Sequence, residues 1–402
     1  MHDQAYRDKF WAFVSVFGTL WGGLELTLGT FLHVLHVPKT GFIMVTLSLI
    51  LLLAQRRIFP ARGSTLCIGV VAACIKSLSP GGIILGPMLG ILGEALFVEL
   101  CLLAGTGAVT SVAAGAVALF WSQVQSLFKL WLYYGKDFLD GVISMVEKFL
   151  RIEWTSTLSW WLLGLWGGII VITGATAGLV GRRIGRRVTA ALEEANAGQD
   201  VHEPLQIPEN PTFYGHSKRS LDAQILKTRF LVLPFALLSL AIQFSGNLLW
   251  SSIGLAVWIA VLGVCARGVI RAIWWPRFWA LTVAISVLCG VFIAWGLDGE
   301  WQWQLGCEAT ARMLVRGLYV FSLIQWATRC VRPSEFMSCW HKLGLDPLGL
   351  ALMRAYVLLP AWNDRMQALL NNRPKGLLNT LRYVRESTFH CLIDAVKQTE
   401  RL

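Results

Sequence analysis

Charge is scarce in this chain: only 15% of its 402 residues are Asp, Glu, Lys or Arg, against about 25% in an average soluble domain. A water-soluble surface of ordinary composition is therefore excluded. Also absent are the common nucleotide and catalytic signatures. There is no GxxxxGK[ST] phosphate loop, so the chain is not its own ATPase by that route, and no HExxH or GxSxG. The nine cysteines are scattered singly, with no CxxC pair and no His/Cys cluster at metal-ligand spacing. They read as packing thiols, and no catalytic residue or metal ligand is assigned.

What the chain has instead is apolar length. Hydrophobic residues make up 55% of it and the mean hydropathy is +0.58. Runs of about 18 or more apolar residues, enough to cross roughly 30 Å of hydrocarbon, recur from end to end. The class is all-α: a polytopic helical membrane protein of about six spans plus about four. The first run starts near Phe10 and continues for about 25 residues without a small-residue cleavage site, so it reads as an uncleaved span. A net charge of +11 resembles a nucleic-acid footprint until the cations are located. Most follow span exits, which makes them topology signals, and no nucleic-acid partner is expected.

Residues 1–187 contain six apolar segments, near 10–35, 41–55, 65–79, 82–104, 108–132 and 158–180. Arg56, Arg57 and Arg62 follow the second, and Arg182, Arg183, Arg186 and Arg187 the sixth, which places both ends of this block in the cytoplasm. The second and third segments are short and must be shielded by neighbours, tilted little, or border a polar cavity. Between the fifth and sixth, 137–152 has apolar residues at helical spacing opposite Asp140, Glu147, Lys148 and Arg151. It reads as an outer surface helix, either a lid or a connector resting on headgroups. Residues 188–226 form the one aqueous stretch, a cytoplasmic linker with Pro204, Pro208 and Pro211. Residues 227–402 add four segments, near 230–244, 248–265, 278–296 and 314–327, and then a polar, amphipathic region from about 333 to 402. Arginine placement again puts both ends inside.

Ionisable groups at membrane depth are functional candidates because each unpaired one costs about 2.5–3.5 kcal/mol on insertion scales. Glu25, His33, Lys76, Glu94 and Glu99 qualify. With Trp21 they are candidates for an outward-facing pocket for a small polar solute. Lys76 would meet a carboxylate or phosphate, and Glu25 or Glu94 an amine or hydroxyl; a Lys-Glu pair holding helices together is the structural alternative. Gly18 and Gly22 give the first span a smooth strip, suited to sliding contact or to tight packing alone.

The C-terminal stretch has Thr328-Arg329 through Arg332-Pro333, then Leu343-Gly344-Leu345-Asp346-Pro347, then the arginine triplets Asn372-Arg373-Pro374 and Glu400-Arg401-Leu402. Over about residues 305–402 this resembles the transmembrane (T) component of energy-coupling factor (ECF) transporters, the vitamin- and metal-uptake branch of the ABC family. It departs from that pattern in Asp346, in triplets that keep only the arginine, and in lacking the last helix. The first block resembles a substrate-binding (S) component in span number, orientation and the glycine-spaced run Pro80–Glu94. The resemblance implies a fused S-T importer subunit in a bacterial or archaeal cytoplasmic membrane, with two ABC ATPase partner chains. Those partners would bind ATP and magnesium, so this chain needs no cofactor. It further implies Arg373 and Arg401 as ATPase-coupling residues and Gly18 and Gly22 as S-T helix contacts. Two other classes stay open: a membrane scaffold docking a cytoplasmic complex, and an integral-membrane enzyme using Glu25, His33 or Glu94.

Overall fold

Backbone groups in hydrocarbon have no water to bond, so each apolar segment must close its hydrogen bonds internally. The computed structural model describes residues 2–34, 39–77, 85–150, 157–197, 220–266, 268–270, 276–295, 300–330 and 345–371, with 393, 396 and 399. These residues are helical almost throughout. In chain order the helices are α1 (His2–Val34), α2 (Thr40–Ile58), α3 (Ser64–Lys76), α4 (Leu85–Leu102), α5 (Ala108–Tyr134), α6 (Lys136–Leu150), α7 (Thr157–Ala197), α8 (Ser220–Gln243), α9 (Leu248–Cys265), α10 (Pro276–Ala294), α11 (Trp303–Cys330) and α12 (Asp346–Asn371). The sole extended pairing among the described residues is a lone bridge, Trp295 to Trp301. Five helices hold stretches long and apolar enough to cross a membrane: Gln4–Gly29, Thr40–Ile58, Ala108–Tyr134, Trp160–Glu194 and Leu248–Cys265. Ser64–Lys76, Val232–Gln243 and Phe278–Ala294 are shorter apolar helices.

The chain forms two compact units whose membership differs from the linear blocks read from the sequence. One comprises Met1–Gln123, Gly167–Phe213 and Pro333–Leu402; the other Val124–Trp166 and Tyr214–Arg332. In the first, α3 is central. At 13 residues it is only about 20 Å long at 1.5 Å per residue, too short to span hydrocarbon alone. Its Ile68, Val71, Ala72, Ala73 and Ile75 are fully buried, because α1, α4 and α12 pack around it. The short third segment is thus shielded by its neighbours.

The sequence reading leaves the C-terminal region free at the cytoplasmic face, but the structure seats α12 in the core of the first unit. Leu348, Ala351, Leu352, Ala355, Leu358, Leu359 and Trp362 are buried there, a stripe at three- and four-residue spacing that needs an apolar partner. It finds one on α1 and α3. Thr19 Oγ1 donates to the Ala355 carbonyl at 3.2 Å and Tyr356 Oη to the Cys74 carbonyl at 3.4 Å. Ala355 is fully buried, so Ala355→Leu should overpack this seam and cost about 1–3 kcal/mol. The expected readout is a lower melting temperature in detergent, with proteolysis starting in α12. The arginine triplets, the turns at 333–344 and the linker residues 198–219 lie outside the described residues.

In the second unit Trp258 organises the core. Its Nε1 donates to Ser322 Oγ at 2.9 Å, and its ring lies 5.7 Å from Tyr319 and 5.8 Å from Trp326. The amphipathic α6 packs on α10 and α11. Asp137 near its start takes Arg312 of α11 through two bonds, 2.8 and 3.0 Å. Near its other end Lys148 Nζ donates to the Phe292 carbonyl at 3.0 Å. Both ends of α6 are therefore tied to other helices of its own unit.

Candidate functional site

The first unit gathers four of the sequence-derived candidates among α1 to α4. Glu25 faces outward from the α1 backbone toward Lys76, the last residue of α3. Lys76 Nζ lies 3.3 Å from Glu25 Oε2 and donates to the Glu25 carbonyl at 2.9 Å. The two side chains remain 13% and 14% exposed, so the pair is desolvated without being sealed. Gly29 lies one turn beyond Glu25, and a Cβ there would stand 3.5 Å from Glu25 Oε2, 3.7 Å from Lys76 Nζ and 3.7 Å from Met44 Cε. Met44 and Ser48 sit one turn apart on α2, on the same face. Ser48 Oγ donates to the Glu94 carboxylate of α4, which is buried and has no cationic partner among the described residues. Glu25 and Glu94 are within electrostatic reach of one another.

Trp21 precedes Glu25 by one turn and is fully buried, with no acceptor for its indole Nε1 among the described residues. Its ring edge is 3.5 Å from where a Gly69 Cβ would sit, which places it against α3. The chemistry gathered here is one ammonium, two carboxyls and a hydroxyl, with the Glu25–Lys76 pair partly exposed and Trp21 buried against α3. Such a set can bind a small solute that carries both an acidic and a basic or hydroxylated group.

Glu99 does not join this cluster. Five residues from Glu94 on one helix is a rotation of about 140°, so the two carboxylates point to different neighbours. Glu99 instead accepts from Arg56 at 3.1 Å, from the Gly63 amide at 2.7 Å and from the Thr65 amide at 3.2 Å. A carboxylate there satisfies free amides of the first turn of α3 and opposes the positive end of its dipole. Arg56 is 2% exposed and also donates to Ser64 Oγ at 3.2 Å. Glu99 is a helix cap in an ion pair, with no part in the cluster around Lys76.

Gly18 and Gly22 face α3 within the same unit. A Cβ would lie 2.5 Å from Val71 Cγ1 at Gly18 and 2.7 Å from Ile75 Cβ at Gly22. Their use is tight α1–α3 packing, while Thr19 carries the bond to α12. His33 is helical, but its side chain lies outside the described residues, as do Arg373 and Arg401.

The sequence reading passed over Arg56, Met44 and Ser48. Arg56 counted only as a charge at a span exit, and its partner is 43 positions away, a distance no local pattern reports. Ser48 was findable in principle, since a hydroxyl in an apolar run needs an acceptor. Comparison of the chain with protein-family models, with curated proteins and with solved structures finds no match in any of the three.

Proposed function

We propose that this chain is the fused membrane subunit of an ECF-type importer in a bacterial or archaeal cytoplasmic membrane. On this reading the first block captures a small solute such as a vitamin or precursor. Two separate ATPase chains, which hold the ATP and magnesium, drive its release inside. The span count is six plus four, with both ends cytoplasmic and residues 333–402 the coupling region.

The supporting observation is the seat of α12. The region that would receive force from an ATPase is packed on α1 and α3, the helices that carry Glu25 and Lys76. A displacement of α12 is therefore delivered directly to the two sides of the Glu25–Lys76 pair. Since the apolar stripe of α12 is spent on this contact, the ATPase-docking surface falls to the residues that follow it, where Arg373 and Arg401 offer permanent charge and planar forks for carboxylates. Lys76 would meet the acidic group of the solute, and Glu25 or Glu94 its amine or hydroxyl.

The same burial favours a second reading, a scaffold in which α12 is an ordinary core helix and no transport cycle exists. Affinity purification separates the two. The importer should bring down P-loop ATPases. Arg373→Glu should lose them with the melting temperature unchanged, whereas Lys76→Ala should keep them and lose the small molecule detected by mass spectrometry in the wild type. Retention of both ATPases and uptake by Arg373→Glu would remove the coupling assignment, and a chain that brings down no ATPase at all would favour the scaffold.

A further inference from the structure

Four charged side chains of the second unit, Asp137, Glu308, Arg312 and Arg316, are unevenly paired near the junction of α5 and α6. Arg312 has two carboxylates: its Nε and Nη2 donate to Asp137 at 3.0 and 2.8 Å, and its Nη1 to Glu308 at 2.7 Å. Arg316, one turn further along the same face of α11, has none within ion-pair distance among the described residues. Its Nε donates to the Leu132 carbonyl at 3.3 Å in the last turn of α5. Its guanidinium carbon lies 4.1 Å from the Phe244 ring centroid and 5.6 Å from that of Trp131, and its Nη2 is buried without an acceptor among the described residues. Two carboxylates and two guanidiniums sum to zero, yet one cation holds both anions.

We infer that the α5–α6 corner is a two-position latch in which Asp137 exchanges Arg312 for Arg316. Three features of the corner fit that exchange. Arg312 keeps Glu308 when Asp137 leaves, so each of these four side chains has a partner of opposite charge in the second position. Asp137 is already within electrostatic reach of Arg316, and the open Nη2 supplies the donor it would take. The hinge is Gly135, between α5 and α6, whose φ of +76° suits glycine. A Cβ there would lie 2.4 Å from Arg316 Nη1, so the guanidinium rests against the hinge. The far end of α6 stays tied through Lys148, and the motion is a swing of its first turn along α11, by up to about one helical turn of 5.4 Å. This inference does not depend on the importer reading.

A double-mutant cycle tests it on the purified full chain in detergent, read as melting temperature. In the wild-type background Asp137→Asn and Arg316→Gln should lower it additively, because Asp137 sits on Arg312. In an Arg312→Gln background the two losses should overlap, the double variant melting with the weaker single. Additive losses in both backgrounds overturn the latch. Where Arg312→Gln fails to fold, amide exchange in the otherwise intact chain serves instead. Glu308→Gln leaves Asp137 as the only carboxylate of Arg312 and should slow exchange across residues 136–140. A fixed network predicts unchanged or faster exchange there, and either outcome overturns the latch.

Discussion

Glu99→Ala should destabilise the protein by about 3–5 kcal/mol, the usual result of stripping one partner from a buried ion pair. The side chains of Arg56 and Glu99 are 3% and 7% exposed, so water does not replace the lost carboxylate. Arg56 Nη2 and the amides of Gly63 and Thr65 all lose their acceptor at once. The first turn of α3 then keeps its positive dipole end unopposed inside apolar surroundings. Thermal unfolding in detergent, without added solute, is the measurement. The paired replacement Arg56→Met with Glu99→Leu should recover the part of the loss due to the stranded guanidinium and not the part due to the Gly63 and Thr65 amides, which still lack their acceptor. A Glu99→Ala protein that melts like the wild type would end the capping assignment and return Glu99 to the list of solute ligands.

The second large effect is expected at Gly174. On α7, Gly174, Gly178, Gly181 and Gly185 recur at alternating four- and three-residue spacing, which makes one continuous strip. That strip lies against α5 and then α2: Cβ atoms added at Gly174, Gly178, Gly181 and Gly185 would lie 2.3, 2.2, 2.7 and 2.7 Å from the carbonyl oxygens of Gly115, Ser111, Ile50 and Ala54. Each obstacle is backbone, which has no rotamer to escape into, so any side chain forces whole helices apart. Helix association in lipid depends on this close approach, because hydrocarbon tails are as apolar as the helices themselves. Gly174→Val should therefore destabilise by at least the upper part of the ~1–3 kcal/mol range for overpacking. Gly168→Val, on the same helix with no atom of the described residues within 4 Å of its added Cβ, is the matched control and should be near neutral. Equal melting temperatures for the two variants would show that the α5–α7 seam is not as close as described.

Periodicity and run length were sufficient to read the apolar segments as helices and to find most of their positions. The sixth apolar segment was visible from 158 to 180, but α7 continues to Ala197, because the arginines past the apolar run do not break a helix. The strip of glycines on α7 is equally present in the sequence, but glycine spacing alone does not say which helix a strip will meet. At the candidate site, the residue types were legible and their grouping was not. Lys76, Glu25, Glu94 and Glu99 stood out by being ionisable in apolar runs. Only the fold divided them, sending three to one cluster and Glu99 to a helix cap with Arg56.

Scarcity of charge and long apolar runs determined by themselves that this chain is helical and built for lipid, because hydrocarbon leaves a backbone only helices or closed barrels and runs of about 18 or more apolar residues fit a helix. Those are properties of consecutive residues, and consecutive residues report them. Which helices touch is different: many apolar stripes are interchangeable in hydrophobicity, so composition does not say that the stripe of α12 belongs on α1 and α3, or that of α6 on α10 and α11. That was settled by shape and by a few buried polar pairings between residues far apart in the chain, whose geometry exists only once the helices have met.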